Sequence, residues 1–119
     1  MKVKCVLPSS DERDFDLLIT DGINDIICNA VDYNSNKTFC LLAFITSEII
    51  ISDSNEYRII KESSYYAYSF IGSVENISNN RLIIRVFGLL IEIDDDFPSD
   101  LLIGDYIHFS VQRIDYYEK

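Results

Sequence analysis

Apolar and polar residues alternate with a period of two through much of the chain, the period that sends successive side chains to opposite faces of a strand. Residues 1–7 place Val3, Cys5 and Leu7 on one side and Lys2, Lys4 and Val6 on the other. Residues 15–20 form a second short strand, closed by Asp21-Gly22, a dipeptide that tolerates the positive φ of a tight turn. Residues 23–33 return antiparallel to it, and Asn34-Ser35-Asn36 is a polar turn. Residues 38–45 and 48–52 read as two further strands, with a short helix over 43–49 as the alternative. Asp53-Ser54-Asn55 is a loop, after which Tyr66, Tyr68, Phe70, Gly72 and Val74 share one parity. Gly72 in mid-strand marks a bulge or a close backbone approach, so a long, curved strand is predicted. Asn79-Asn80 turns the chain into residues 81–87, where Leu82, Ile84 and Val86 face one way. Gly88 resets the register, and Leu89, Ile91 and Ile93 then point inward opposite Leu90, Glu92 and Asp94. Pro98 keeps the acidic stretch 94–100 out of any central strand. Gly104-Asp105 opens a last strand with Ile107, Phe109 and Val111 toward the core and Tyr106, His108, Ser110 and Gln112 outward.

These elements predict an all-β protein: a small antiparallel barrel or sandwich of about six to eight strands, with at most one short helix. A length of 119 residues without repeat, low-complexity tract or Pro/Gly linker points to a single domain over 1–119. Heavy use of Ile, with 8 Tyr and 7 Phe and no Trp, fits the β reading.

Three runs carry a resemblance: Phe70-Ile71-Gly72-Ser73-Val74, Leu89-Leu90-Ile91-Glu92-Ile93 and Gly104-Asp105-Tyr106-Ile107-His108-Phe109-Ser110-Val111. Together they resemble consecutive strands of small OB-like barrels, in which a glycine-bent strand is followed by a closing strand that opens Gly-Asp-aromatic. The resemblance implies an OB-like barrel. Proteins of that superfamily often bind nucleic acid with basic grooves and exposed aromatics. This chain keeps the aromatics and reverses the charge: 20 acidic side chains against 10 basic give a formal net charge of -10. Such a surface repels polyanions and attracts basic partners at long range, so nucleic acid is not expected as a ligand.

The first residues carry too short an apolar stretch before Pro8 for a signal-peptide core, and no run approaches the length of a membrane helix, so a cytoplasmic protein without a membrane partner is expected. Cys5, Cys28 and Cys40 share no metal-type spacing and sit among apolar neighbours, which predicts buried reduced thiols. Nucleophilic catalysis of the Ser-His-Asp or Cys-His kind needs a base, and His108 is the only histidine, on an outward strand position. No phosphate loop, dinucleotide fingerprint or zinc-protease motif is present, and Asp94-Asp95-Asp96 with Asp100 lacks the alternating ligands and central Gly of a calcium loop. No enzyme, cofactor or metal site is expected.

Two features remain as candidate binding chemistry. Glu92, Asp94, Asp95, Asp96, Asp100 and Asp105 form a run of carboxylates uninterrupted by any cation, and residues 11–32 hold a second acidic stretch with Arg13 as its one base. Tyr65-Tyr66 and Tyr116-Tyr117 are adjacent pairs, so in a strand one member of each points away from the core. Exposed tyrosine brings contact area and a hydroxyl at low entropy cost, which is why it is enriched at protein interfaces. Small size, acidity, the absence of a catalytic constellation and an Ile/Asn-rich bacterial style make the chain similar in type to bacterial toxin-immunity proteins of contact-dependent inhibition. That likeness implies an immunity protein or antitoxin that covers the cationic surface of a nuclease-type toxin. The alternative is a structural or regulatory subunit of a larger bacterial assembly.

Overall fold

The computed structural model describes residues 1–7 and 14–119. Ten strands and no helix build it: β1 (Lys2–Leu7), β2 (Phe15–Thr20), β3 (Asp25–Ala30), β4 (Phe39–Ile45), β5 (Ile50–Ile51), β6 (Arg58–Lys61), β7 (Tyr68–Ser78), β8 (Arg81–Val86), β9 (Leu89–Ile93) and β10 (Tyr106–Glu118). The chain is all-β, and the alternative helix over 43–49 is not formed. Those residues finish β4, pass through a short loop and enter the two-residue β5.

Pairing closes a five-stranded ring. β7, β8 and β9 form an antiparallel meander, β9 lies parallel to β4, β4 antiparallel to β10, and β10 returns antiparallel to β7. The three runs that resemble OB-type strands fall on β7, β9 and β10, all ring members. The fourth wall, β4, comes from upstream in the chain. The sheet is therefore mixed, not purely antiparallel, and its ten strands exceed the six to eight expected. β10 makes this topology workable because its two halves have different partners. Residues 106–111 pair with β7, residues 113–118 with β4, and the interruption between them lets the strand bend.

β1, β2 and β3 form an antiparallel wing that joins the ring where β3 runs parallel to β10 at Asn29 and Ala30. Leu17, Ile19, Ile26 and Cys28 of the wing share one buried cluster with Phe70, Ile84, Ile91, Phe109 and Ile114 of the ring. Two polar contacts fasten wing to ring. The Tyr68 hydroxyl accepts from the Ile27 N–H at 2.9 Å, and the Asp21 carboxylate accepts from the Gly88 N–H at 2.9 Å.

Gly72 has a concrete reason to be glycine: a Cβ there would meet the Arg85 carbonyl oxygen at 2.5 Å. It is a close approach; the bulge in this strand lies between Val74 and Asn76. Both faces of β7 are buried from Tyr68 to Val74, and the 52–66 segment pairs with it edge to edge through β6. Tyr57 and Glu62 from that segment hydrogen-bond Ser73 and Ser69 at 2.9 and 2.7 Å. Cys28 and Cys40 are buried, but Cys5 is exposed, since a register shift between Val3 and Cys5 on the edge strand turns its thiol outward. Burial pushes the Cys28 thiol well above its ordinary pKa, with Asp115 adding to the effect. No helix of the described residues is long and apolar enough to cross a membrane.

Candidate functional site

Alternation along β9 sends Glu92 to the outer face of the sheet, and cross-strand register decides what it meets there. Equivalent positions on neighbouring strands line up as Asp16 of β2, Asn29 of β3, Asp115 of β10, Leu42 of β4 and Glu92 of β9. The carboxylates in this row are partnered within the chain. The Tyr66 hydroxyl donates to Asp16 Oδ1 at 2.6 Å, the Arg113 Nε–H donates to Asp115 at 2.6 Å, and Glu92 accepts from the Tyr117 hydroxyl and from Arg81 at 3.3 Å. Desolvation and the hydrogen bond to Asp16 push Tyr66 up to about 12, and desolvation with the bond to Glu92 pushes Tyr117 higher still. Tyr116 is buried at 4% exposure, edge-on to Tyr33 and beside Phe39, with its hydroxyl pushed up to about 12 by desolvation and Glu118. Tyr65 is the outward member of its pair, and its ring meets that of Tyr66 edge-on.

Thus Tyr66, Tyr117 and Glu92 share the outer sheet face, Tyr116 belongs to the core beneath it, and Tyr65 stands at its rim. A groove of about 570 Å³ runs along this face past Val31, Leu42, Asp115 and Tyr117.

The segment between β9 and β10 is different. Asp94, Asp95, Asp96 and Asp100 are all exposed, and among the described residues only Asp94 of this segment touches a cation, Arg81 at 3.5 Å. Two anchors hold the loop to the barrel: Phe97 packs against the core, and Leu101 is buried with its N–H donating to the Pro98 carbonyl at 3.2 Å. Beyond it lies a tight turn. The Leu102 N–H donates to the Asp105 carboxylate at 2.9 Å, the Asp105 N–H returns to the Leu102 carbonyl at 3.1 Å, and Gly104 takes the left-handed φ of 95° that the turn needs. Gly104 and Asp105 also bond the backbone of Val74 on β7. The turn presents Leu102 and Ile103 at 66% exposure each. Sequence reasoning missed these two residues. The available signal was three consecutive apolar residues, Leu101, Leu102 and Ile103, in a segment too tightly turned to bury them all.

Asp105 is therefore a turn-forming carboxylate, distinct in role from the exposed four. Asp21, from the second acidic stretch, is another: it accepts from the N–H groups of Asn24, Ile23 and Gly88. Desolvation raises its pKa, but these three backbone bonds outweigh that and hold it far below the carboxylate range. Asp11, Glu12 and Arg13 lie outside the described residues. His108 stands exposed on β10 opposite Ile50 and Ile71. Among the described residues, no three His, Cys, Asp or Glu side chains converge as a metal centre would require.

The fold thus defines an all-β protein with a partly open ring barrel and a three-stranded wing. No family model, curated protein or solved structure matches the chain.

Proposed function

We propose that this chain is an inhibitory binding protein, an immunity protein or antitoxin that neutralises a basic, nuclease-type bacterial toxin in the cytoplasm by covering its cationic surface. The observation that carries the reading is the β9–β10 loop, where four exposed carboxylates are held in place by Phe97 and Leu101 and, among the described residues, only Asp94 reaches a cation, Arg81. Lys4, Arg81, Arg85 and Arg113 are all in ion pairs with acids of the same chain. A nuclease presents Lys and Arg to phosphate, so a fixed acidic loop meets it with electrostatic complementarity that speeds encounter and sets register.

The test is to change Asp94, Asp95, Asp96 and Asp100 together to Asn and measure association with the basic protein that the wild-type chain retains. The association rate constant is expected to fall by roughly one to three orders of magnitude at low salt, with a flatter salt dependence. An unchanged rate removes the loop from the interface, and failure to retain any basic protein removes the reading.

A second reading, a structural or regulatory subunit of a larger assembly, draws support from a different place. Ile50, Ile51 and Ile60 are all more than two-fifths exposed around the cleft between β5 and β6. An apolar patch of this kind is suited to a permanently bound partner.

A further inference from the structure

We infer that Leu102 and Ile103 are the apolar anchor of the interface, inserted into a hollow of the basic partner whose cationic rim meets Asp94, Asp95, Asp96 and Asp100. This deepens the reading above and rests on it. Two large apolar side chains at 66% exposure are costly to leave in water and gain by burial in a partner. The turn that carries them is not a slack loop tip. It is closed by reciprocal Leu102–Asp105 bonds, set by the left-handed Gly104, and tied to β7 through Val74 on both sides. A rigid turn loses little conformational freedom on binding, which is the condition under which a small apolar contact contributes most to affinity.

The surroundings specify the partner. Within eight residues upstream lie the four exposed carboxylates, and among residues 92–105 there is no Lys or Arg. Exposed apolar and acidic side chains carried on one connection match the composition of an interface core and its polar rim. The complementary surface is an apolar depression bordered by Lys and Arg, as on a basic protein; a membrane or a second copy of this acidic chain would set like charges or headgroup phosphates against the rim.

Division of labour between rim and anchor is the measurable consequence. Charges at a rim act mainly on association, and a desolvated centre acts mainly on dissociation. A photo-crosslinking amino acid is placed singly at positions 102, 103, 95, 42 and 23 in cells, and the crosslinked proteins are identified. Crosslinks at 102 and 103 to a basic protein are expected, with position 23, still more open to solvent on the wing, giving none to it. The captured protein is then purified, and its binding to the variant Leu102→Ser/Ile103→Ser is measured. Dissociation should accelerate by roughly 10- to 1,000-fold with the association rate nearly unchanged. Crosslinks at 95 with none at 102 or 103, or a double variant that dissociates at the wild-type rate, overturn the anchor and leave the acidic-loop reading standing. Crosslinks at 102 and 103 only to a protein without a cationic surface overturn the basic-partner reading, and with it the rim assigned here.

Discussion

Glu92 and Asp95 are three positions apart in the chain, yet they belong to two different populations of carboxylate. Glu92 sits on a strand, only 12% exposed in its side chain, and its charge is met by Arg81 and the Tyr117 hydroxyl. Asp95 sits on the loop beyond the end of that strand, exposed, and its one hydrogen bond within the chain is local, from the N–H of Asp96 at 2.7 Å. Asp16, Asp21, Asp105 and Asp115 belong with Glu92; Asp96 and Asp100 belong with Asp95. A net charge of -10 therefore overstates what the folded sheet presents and understates how concentrated the remainder is. What separates the two populations is whether the fold supplies a donor: the strand acids and the turn-forming Asp21 and Asp105 have one, whereas Asp95, Asp96 and Asp100 project into solvent.

The sharpest way to break this distinction is Asp21→Ala. Three backbone N–H groups lose their acceptor, including the one from Gly88 that ties wing to ring, and a loss of about 3 kcal/mol is expected from urea denaturation. Glu92→Ala is next, at about 2 kcal/mol, because it strands the Tyr117 hydroxyl and leaves Arg81 with Asp94 alone. A loss no larger than that of Asp95→Ala would dissolve the two populations into one.

The pH dependence of stability sharpens the same point without mutation. Asp21 titrates below its unfolded value, so its contribution is complete above about pH 4 and lost as pH falls below that. Tyr66, Tyr116 and Tyr117 titrate above theirs, so their contribution is complete below about pH 10 and lost as pH rises toward 12. Tyr117→Phe should cost about 1 kcal/mol at neutral pH and make the alkaline limb shallower, read from denaturation midpoints at pH 8 and 11. An alkaline limb unchanged by that substitution would show that Glu92 does not hold the hydroxyl. The smallest effect belongs to the loop: the fourfold Asp→Asn variant should change stability by no more than about 0.5 kcal/mol, measured by the same urea titration.

Local signals in the sequence reached the strands and stopped at their neighbours. The inward sets Leu82, Ile84, Val86 and Ile107, Phe109, Val111 are buried as their period of two requires, and the turns at Gly22 and Asn80 take positive φ. The outward position of Glu92 was equally legible. Arg81, across the β8–β9 hairpin, lay within reach of local reasoning, but Tyr117 did not, because it comes from β10, which ring closure brings alongside through β4. The same limit hid both parallel pairings, β4 with β9 and β3 with β10, each of which joins segments more than forty residues apart. Cys5 was misplaced for a smaller reason, a register shift that periodicity cannot contain. Phe87, a bulky residue at φ 53°, carries the β8–β9 turn against its steric preference and rests its ring on Tyr57 at 5.5 Å.

The dual pairing of β10 has a consequence for how the protein comes into being. Every closure of the architecture passes through this one strand: it completes the ring with β4 and β7, receives the wing through β3 and holds β5. A ribosome must therefore deliver residues 106–111 before the seams with β5 and β7 can be sealed and residues up to about 118 before those with β3 and β4, and until then the emerging chain exposes unpaired edges of β3, β4 and β7. Pairing over such long sequence separations makes for slow, all-or-none assembly. A chain built this way completes its fold in a single late event.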